Sequence, residues 1–224
     1  SKYLKKVRYI DIKNIFKIIG GLIFKGEIIV SGLNSGTFLT KAMKDICKEN
    51  NIYKIKDIKM PIAIPAVNIK NGEVIIFSSK EIRQNISDEI KYITDTPIEI
   101  AVRSSCSFPV VFSPCLYENK ELIDGGVREN VAWKELKELG ADRVLGINFK
   151  TNSKKEENFK NMVDIAVRSI GLMEHELSNY ELDGIDELIT ITTKKVGLLD
   201  TSCINELYDA GYKITKKYID DKNK

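Results

Sequence analysis

Residues 121–131 read ELIDGGVRENV, and at their centre the triplet Asp124-Gly125-Gly126 follows a short run that predicts a strand at residues 121–123. Two glycines directly after a strand let the backbone turn sharply and leave the Asp124 carboxylate projecting at the edge of a sheet, where it can serve as a general base. Taken alone, an Asp-Gly-Gly triplet is more often a simple turn whose aspartate bonds its own backbone. The choice between these interpretations depends on the surrounding sequence.

Downstream of the triplet, helix and strand patterns alternate. A helix at residues 133–139 is expected to end at Gly140, because glycine suits the left-handed residue that closes a helix. The apolar run at residues 143–149 is nearly continuous, which is typical of a strand buried on both faces. Three elements follow, namely a long helix at 159–182, a buried strand at 187–193 and an amphipathic helix at 204–218. This order predicts an α/β fold with a largely parallel sheet.

Upstream of the triplet, two β-branched runs at residues 61–69 and 73–77 are joined through Lys70-Asn71-Gly72 and predict a β-hairpin. Asn-Gly suits a turn with positive φ at both central residues. Helical periodicity predicts three helices: residues 11–24, a helix from Ser35 or Gly36 to residues 50–51, and residues 98–105 ahead of Pro109. Since no repeat, low-complexity segment or linker interrupts the chain, we expect a single domain over residues 1–224.

Composition excludes several classes of protein. The chain has 224 residues, of which 43% are hydrophobic and 30% charged, so it can close a core without disulfides or a structural metal. A net charge of +3 is too small to indicate a nucleic-acid partner. The four cysteines form no CxxC pair, which favours reduced thiols in a cytoplasmic protein without a zinc site. No GxGxxG or GxxxxGK[ST] loop follows a strand, so a nucleotide cofactor is not expected.

Candidate nucleophiles and bases are few. The single histidine, His175, lies in the helical pattern at residues 159–182 and is predicted to be a solvated helix residue, so hydrolytic chemistry would need a carboxylate base. Ser104, Ser105 and Ser107 are small residues ahead of Pro109 that favour close packing. Cys106 is similarly predicted to be a small buried hydrophobe rather than an activated thiol.

Two ordered blocks resemble the patatin-like phospholipase family. Residues 103–114, RSSCSFPVVFSP, are similar to the family's A-S-C-A-x-P-x-x-F-x-P segment, and residues 121–131 are similar to its L-x-D-G-G-x-x-x-N-x-P segment, with Ala132 where proline is frequent. LGADRV at residues 139–144 resembles the family's L-G-A-D-x-V, and residues 210–212 resemble its closing helix. The resemblance covers most of residues 31–149 and implies a patatin-like three-layer α/β sandwich.

The resemblance implies a lipid acyl hydrolase with a Ser-Asp dyad, in which Asp124 is the base and Gly125 and Gly126 support it. The family's G-x-S-x-G elbow, which carries the serine, and its glycine-rich oxyanion loop lie ahead of the matched region. GLNSG at residues 32–36 is no substitute, because Asn34 occupies the elbow's central position. We therefore expect this chain to be the C-terminal part of a longer protein whose N-terminal strand and helix are missing here, and to associate with that missing segment.

These observations lead to two hypotheses from different classes. The first is a cytoplasmic serine lipid acyl hydrolase that acts on a lipid or ester substrate and has no cofactor, metal or nucleic-acid partner. It is expected to contact membranes peripherally, and the helix at residues 11–24 is one candidate for that contact. The alternative is a non-catalytic binding or interaction protein that retains the family's C-terminal architecture. Head group and acyl-chain preference depend on the shape of the cleft.

Overall fold

The computed structural model describes residues 31–82, 89–151, 161–193 and 202–223. The predicted helix at residues 11–24 lies outside the described residues. Among the residues it does describe, the structure holds no helix long and apolar enough to cross a membrane.

The first half of the chain builds a five-stranded sheet with helices against it. The elements are helix α1 (Thr37–Glu49), a short 3₁₀ turn (Ile55–Asp57), strands β1 (Ala63–Asn68), β2 (Val74–Ser78) and β3 (Ile90–Ile93), helix α2 (Ile98–Ser105), and strands β4 (Cys115–Tyr117) and β5 (Lys120–Asp124). The strand order is β3-β2-β1-β5-β4, so β1 lies at the centre with β2 on one side and β5 on the other.

Three of the four strand pairings in this sheet are antiparallel, and only β2 with β3 is parallel. The prediction of a largely parallel central sheet is therefore wrong for these strands. Short loops join β1 to β2 and β4 to β5, and a chain that returns through a short loop pairs antiparallel with the strand it has just left. The α/β class itself is confirmed, since the helices are interspersed with the strands.

The predicted β-hairpin is confirmed, but its turn differs from the expected one. β1 and β2 pair from Ala63 opposite Ser78 to Val67 opposite Val74. In the connecting loop only Gly72 has positive φ, at 78°, and its backbone N–H donates to the Asn68 carbonyl at 2.8 Å. The loop is longer than a two-residue turn, so its closing hydrogen bond needs a left-handed residue at one position only.

The core lies between this sheet and helices α1 and α2. Strand β2 is buried along its whole length, and Phe77, Ile75 and Leu122 are fully buried. Ala101 of α2 and Cys47 of α1 belong to the same cluster. Apolar burial of this kind contributes about 25 cal/mol per Å² of surface removed from water, and it fixes β5 against the rest of the sheet.

The second half forms a 3₁₀ turn (Gly125–Val127), helix α3 (Trp133–Glu138), strand β6 (Leu145–Thr151), helix α4 (Met162–Glu181), strand β7 (Glu187–Thr193) and helix α5 (Ile204–Lys222). β6 and β7 pair in parallel as a separate two-stranded sheet, which agrees with the strand-helix-strand order of the sequence. The prediction that β6 is buried on both faces is wrong. Its alternate residues Leu145, Ile147 and Phe149 are 47%, 49% and 65% exposed, so one face of β6 is open in the part of the chain that the structure describes.

Candidate active site

Asp124 is the last residue of β5, and the backbone holds it from two sides. Across the sheet it lies opposite Ala66 of β1. Its backbone N–H donates to the carbonyl of Ser107 at 3.1 Å, in the loop that follows α2. The structure thus brings together the two sequence blocks at residues 103–114 and 121–131.

Space rather than backbone conformation accounts for the glycines after Asp124, strictly at Gly125 and less so at Gly126, whose nearest neighbour is a side-chain atom. Neither has the positive φ that favours glycine. A Cβ on Gly125 would lie 2.6 Å from the carbonyl oxygen of Pro65, and one on Gly126 would lie 2.9 Å from Oδ1 of Asn130. Because real Cβ atoms do not approach backbone this closely, Gly125 lets the turn pack directly against β1.

The Asp124 carboxylate accepts a hydrogen bond from the Gly126 backbone N–H at 2.9 Å. The simple interpretation of the triplet, a turn whose aspartate bonds its own backbone, therefore holds. It does not exclude the general-base interpretation, because the carboxylate is only partly buried. Burial raises the pKa of Asp124, and the bond from Gly126 opposes that rise. A raised pKa makes a carboxylate a stronger proton acceptor.

A second carboxyl group, that of Glu174 on α4, faces this region and was not singled out from the sequence. Burial, followed by the negative charge of Asp124, raises the pKa of Glu174 to about 7. Its Oε1 is buried and has no hydrogen-bond partner among the described residues. A signal was present in the sequence, since Glu174, Ser178 and Glu181 recur at the helical spacing i, i+4 and i+7 and form a polar stripe on α4.

That polar stripe binds the loop that follows the Asp-Gly-Gly turn. Asn130 donates its side-chain amide to Ser178 Oγ at 2.5 Å. The Glu181 carboxylate accepts the backbone N–H groups of Asn130 and Val131 at 3.2 and 2.8 Å. The indole N–H of Trp133 donates to the Glu181 carbonyl. Helix α4 therefore fixes the loop by contacts to both its backbone and its side chains.

The block ahead of Pro109 is organised around Arg103, which is 4% exposed. Its guanidinium donates to the carbonyls of Ser35 and Ser113 at 2.7 and 2.6 Å, and it also contacts Ser107 Oγ. The Ser107 hydroxyl donates to the Arg103 carbonyl at 2.7 Å, and the Ser104 hydroxyl donates to the Ile100 carbonyl at 2.8 Å. Both hydroxyls are bonded within α2 and its end, which agrees with the predicted packing role.

Cys106 departs from its prediction. It was expected to be a small buried hydrophobe, but the residue is exposed. Exposure does not make it an activated thiol, however. Desolvation by neighbouring protein atoms and the charge of Asp124 raise the pKa of the Cys106 thiol, and Arg103 only partly opposes them. A raised thiol pKa disfavours the nucleophilic thiolate.

The remaining sequence candidates do not supply a nucleophile or base at Asp124. The Asn34 side chain accepts the backbone N–H of Gly36 at 2.7 Å, and the Ser35 hydroxyl lies 3.3 Å from that of Thr37, at the start of α1. His175 is an exposed residue of α4 whose Nδ1 lies 3.5 Å from the Asn179 side-chain amide, as predicted for a solvated helix residue. Within the described ranges, no group of three or more His, Cys, Asp or Glu residues could hold a metal ion.

Comparison with protein-family models matches residues 2–137 to the family described as patatin-like phospholipase. The match includes α1, the five-stranded sheet, the Asp-Gly-Gly turn and most of α3. The polar stripe of α4 lies beyond it.

Proposed function

This chain belongs to the patatin-like phospholipase family, and from that membership we propose that it forms part of a lipid acyl hydrolase in which Asp124 is the catalytic base. The observation that carries the proposal is the position of Asp124 at the end of the partly buried strand β5, where its carboxylate has a raised pKa and stays partly accessible. We further propose that residues 1–224 belong to one domain and that the attacking serine is supplied by a segment outside these residues.

In the proposed mechanism, Asp124 accepts the proton of the serine hydroxyl as the serine oxygen attacks the carbonyl carbon of an ester. Backbone N–H groups stabilise the resulting oxyanion. The role of this chain is to hold the base in place. The pairing of Asp124 with Ala66 fixes its backbone, and the bond from Gly126 to Oδ1 leaves Oδ2 for the proton.

The open face of β6 supports the proposal that a further segment packs on this chain. Leu145, Ile147 and Phe149 point to one side of the strand, because alternate residues of a strand share a face. A contiguous exposed apolar patch on a soluble protein marks a surface that binds another partner. A packed segment, or a lipid surface in a peripheral contact, would cover it.

The test uses the full-length protein, a fluorophosphonate probe that labels activated serines, and hydrolysis of a phospholipid ester. Asp124→Asn should lower both the labelling rate and hydrolysis by at least about 100-fold, the size of a general-base contribution. Asp142→Asn is the matched control, since Asp142 is exposed and remote in sequence from the turn. Full activity in folded Asp124→Asn contradicts the proposal. A folded wild-type protein without labelling supports instead a non-catalytic binding protein.

A further inference from the structure

A cavity of about 550 Å³ lies beside the loop that follows Asp124, between the edge of the five-stranded sheet and helices α3 and α4. Its walls include residues of β2 and β3 on one side and Leu177 and Glu181 of α4 on the other. Asp124 is not among the lining residues that the structure describes. The volume is within the range of small-molecule sites, which run from about 300 to 1,000 Å³.

The walls combine acidic groups with apolar surface. Five glutamates line the cavity, against three basic residues: Glu89, Glu129, Glu135, Glu138 and Glu181, with Arg128, Lys134 and Lys137. Apolar contact is provided by Ile90, Trp133 and Leu177. Such a site suits a ligand that carries positive charge on an apolar body.

Most of the basic groups are already engaged. Arg128 pairs with Glu89 at 2.6 Å, and Lys137 pairs with Asp186 at 2.7 Å. The Glu181 carboxylate accepts two backbone N–H groups. The other three carboxyl groups in the walls are those of Glu129, Glu135 and Glu138. Glu129 and Glu135 are hydrogen-bonded to each other, and Lys134 lies 5.9 Å from the centre of the Trp133 ring.

Glu135 gives an independent indication that this cavity binds a ligand. It is 3% exposed, and its Oε2 is buried without a hydrogen-bond partner among the described residues. The hydroxyl of Tyr92, also in the cavity wall, is buried and unpartnered in the same way. A buried acceptor without a donor costs about 1 to 3 kcal/mol, so native structures rarely leave one unfilled.

We propose that this cavity binds a small organic cation of the primary-ammonium class, with the ammonium group donating to Glu135 Oε2, the Glu129 carboxylate and the Tyr92 hydroxyl. The alkyl part lies against Trp133, Ile90 and Leu177. An ammonium fits better than a metal ion, because it provides three hydrogen-bond donors for separate acceptors and needs no cluster of ligands. This site is separate from the proposed hydrolase chemistry and does not depend on it.

The charge state of the cavity supports an ammonium ligand and gives binding a pH dependence. The pKa of Glu129 is raised to about 8, mainly by burial. Its hydrogen bond to Glu135 and the negative charges of Glu135 and Glu181 also raise this pKa, whereas the positive charge of Lys134 lowers it. The pKa of Tyr92 is raised to about 12, so its hydroxyl stays neutral. In the ligand-free protein at neutral pH, Glu129 carries a proton, which neutralises the carboxylate as the cation does when it is bound. Binding therefore releases that proton and strengthens as pH rises from 7 to 9.

The test is calorimetric titration of the full-length protein with 1,5-diaminopentane, with 1,5-pentanediol as the neutral analogue. We expect binding of the diamine alone, with proton release at pH 7. Glu135→Gln and Glu129→Gln should each weaken it at least about 10-fold, a loss of 1.4 kcal/mol. Glu49→Gln, an exposed change at the end of α1, should leave it unchanged. Equal binding of the diol, or unaltered affinity in folded Glu129→Gln, overturns the proposal.

A primary ammonium can come from a free amine or from a lipid head group. Phosphatidylcholine vesicles with and without phosphatidylethanolamine distinguish the two sources. If the protein binds the ethanolamine vesicles, the diamine displaces it from them and Glu129→Gln abolishes the binding, the ligand is a head group of the proposed class. Diamine binding without such displacement supports a free amine of the same class. Vesicle binding that neither the diamine nor Glu129→Gln affects, in a protein that does not bind the diamine, contradicts the proposal.

Discussion

Asn130 donates its side-chain amide to Ser178 Oγ at 2.5 Å, and this bond attaches the loop after Asp124 to the middle of α4. Ser178 in turn donates to the carbonyl of Glu174 at 2.8 Å. The Asn130 Oδ1 atom is the neighbour that a side chain at position 126 would meet. One asparagine therefore contacts the turn on one side and the helix on the other.

Replacing Asn130 by Ala should destabilise the protein by about 1 to 2 kcal/mol, because a buried serine hydroxyl loses its donor. Ser178→Ala removes the other partner of the same bond. The two changes should therefore be non-additive, with a coupling free energy of about 0.5 to 3 kcal/mol in a double-mutant cycle measured by urea unfolding. Simple additivity would show that the hydrogen bond contributes little.

Gly125→Ala should destabilise strongly, since its Cβ would lie 2.6 Å from the Pro65 carbonyl oxygen and the backbone there cannot yield cheaply. Overpacking of this kind costs about 1 to 3 kcal/mol or more. Gly171→Ala in α4 is the matched control, because nothing lies within 4 Å of its added Cβ. In a helix that change should stabilise by up to about 1 kcal/mol. Thermal unfolding of both variants should shift in opposite directions, and parallel shifts would contradict the packing argument.

Arg103→Lys should destabilise the protein by about 2 to 4 kcal/mol, because one ammonium cannot reach the separate acceptors that the guanidinium satisfies. Those acceptors are the carbonyls of Ser35 and Ser113 and the hydroxyl of Ser107. Arg143→Lys provides the comparison, since the Arg143 side chain is 72% exposed and its ion pair with Glu187 lies at the surface. Exposed pairs contribute about 0 to 1 kcal/mol. Equal urea midpoints for the two variants would rule out the bridging role.

Stability should increase as pH falls from 8 to 5. Glu129 and Glu174 have pKa values raised to about 8 and about 7, so in this window the folded protein binds protons that the unfolded chain, with its ordinary carboxyl pKa, does not. The free energy of unfolding then falls as pH rises. The salt-bridged Asp95, whose pKa is lowered to about 2, has the opposite effect, but only below pH 4. The double variant Glu129→Gln, Glu174→Gln should flatten Tm against pH, and an unchanged slope would refute the assignment.

Local sequence signals predicted most of the individual elements. Periodicity placed α1 and α2 within a residue or two of their bounds, and β-branched runs placed the β1–β2 hairpin. The direction of the central sheet was missed, because the parallel prediction came from the helix-strand order downstream of Asp124, and the strands there form a separate sheet. The short strand β4 was also not recognised beside β5. The open face of β6 was missed because apolar residues in a strand do not indicate whether another layer covers them.

At the candidate site, the sequence singled out Asp124 and its two glycines because they are adjacent in the chain. Glu174 was missed since its contact with that region depends on how α4 packs, which no local pattern records. The acid-lined cavity was missed for a similar reason. Glu129 and Glu135 are near each other in sequence, but Tyr92 and Leu177 reach the cavity from distant strands and helices.

Because Asp124 lies opposite Ala66, its carboxylate reaches its position only when β5 pairs with β1 during folding. The β1–β2 hairpin joins neighbouring segments and can close in microseconds, whereas β5 must close a long loop of chain before it can pair with β1. Non-local pairings of this kind form slowly. During synthesis, β1 and β2 are made before the Asp-Gly-Gly turn. The proposed base is therefore assembled late, and a half-folded chain that has only the β1–β2 hairpin has no positioned Asp124 carboxylate.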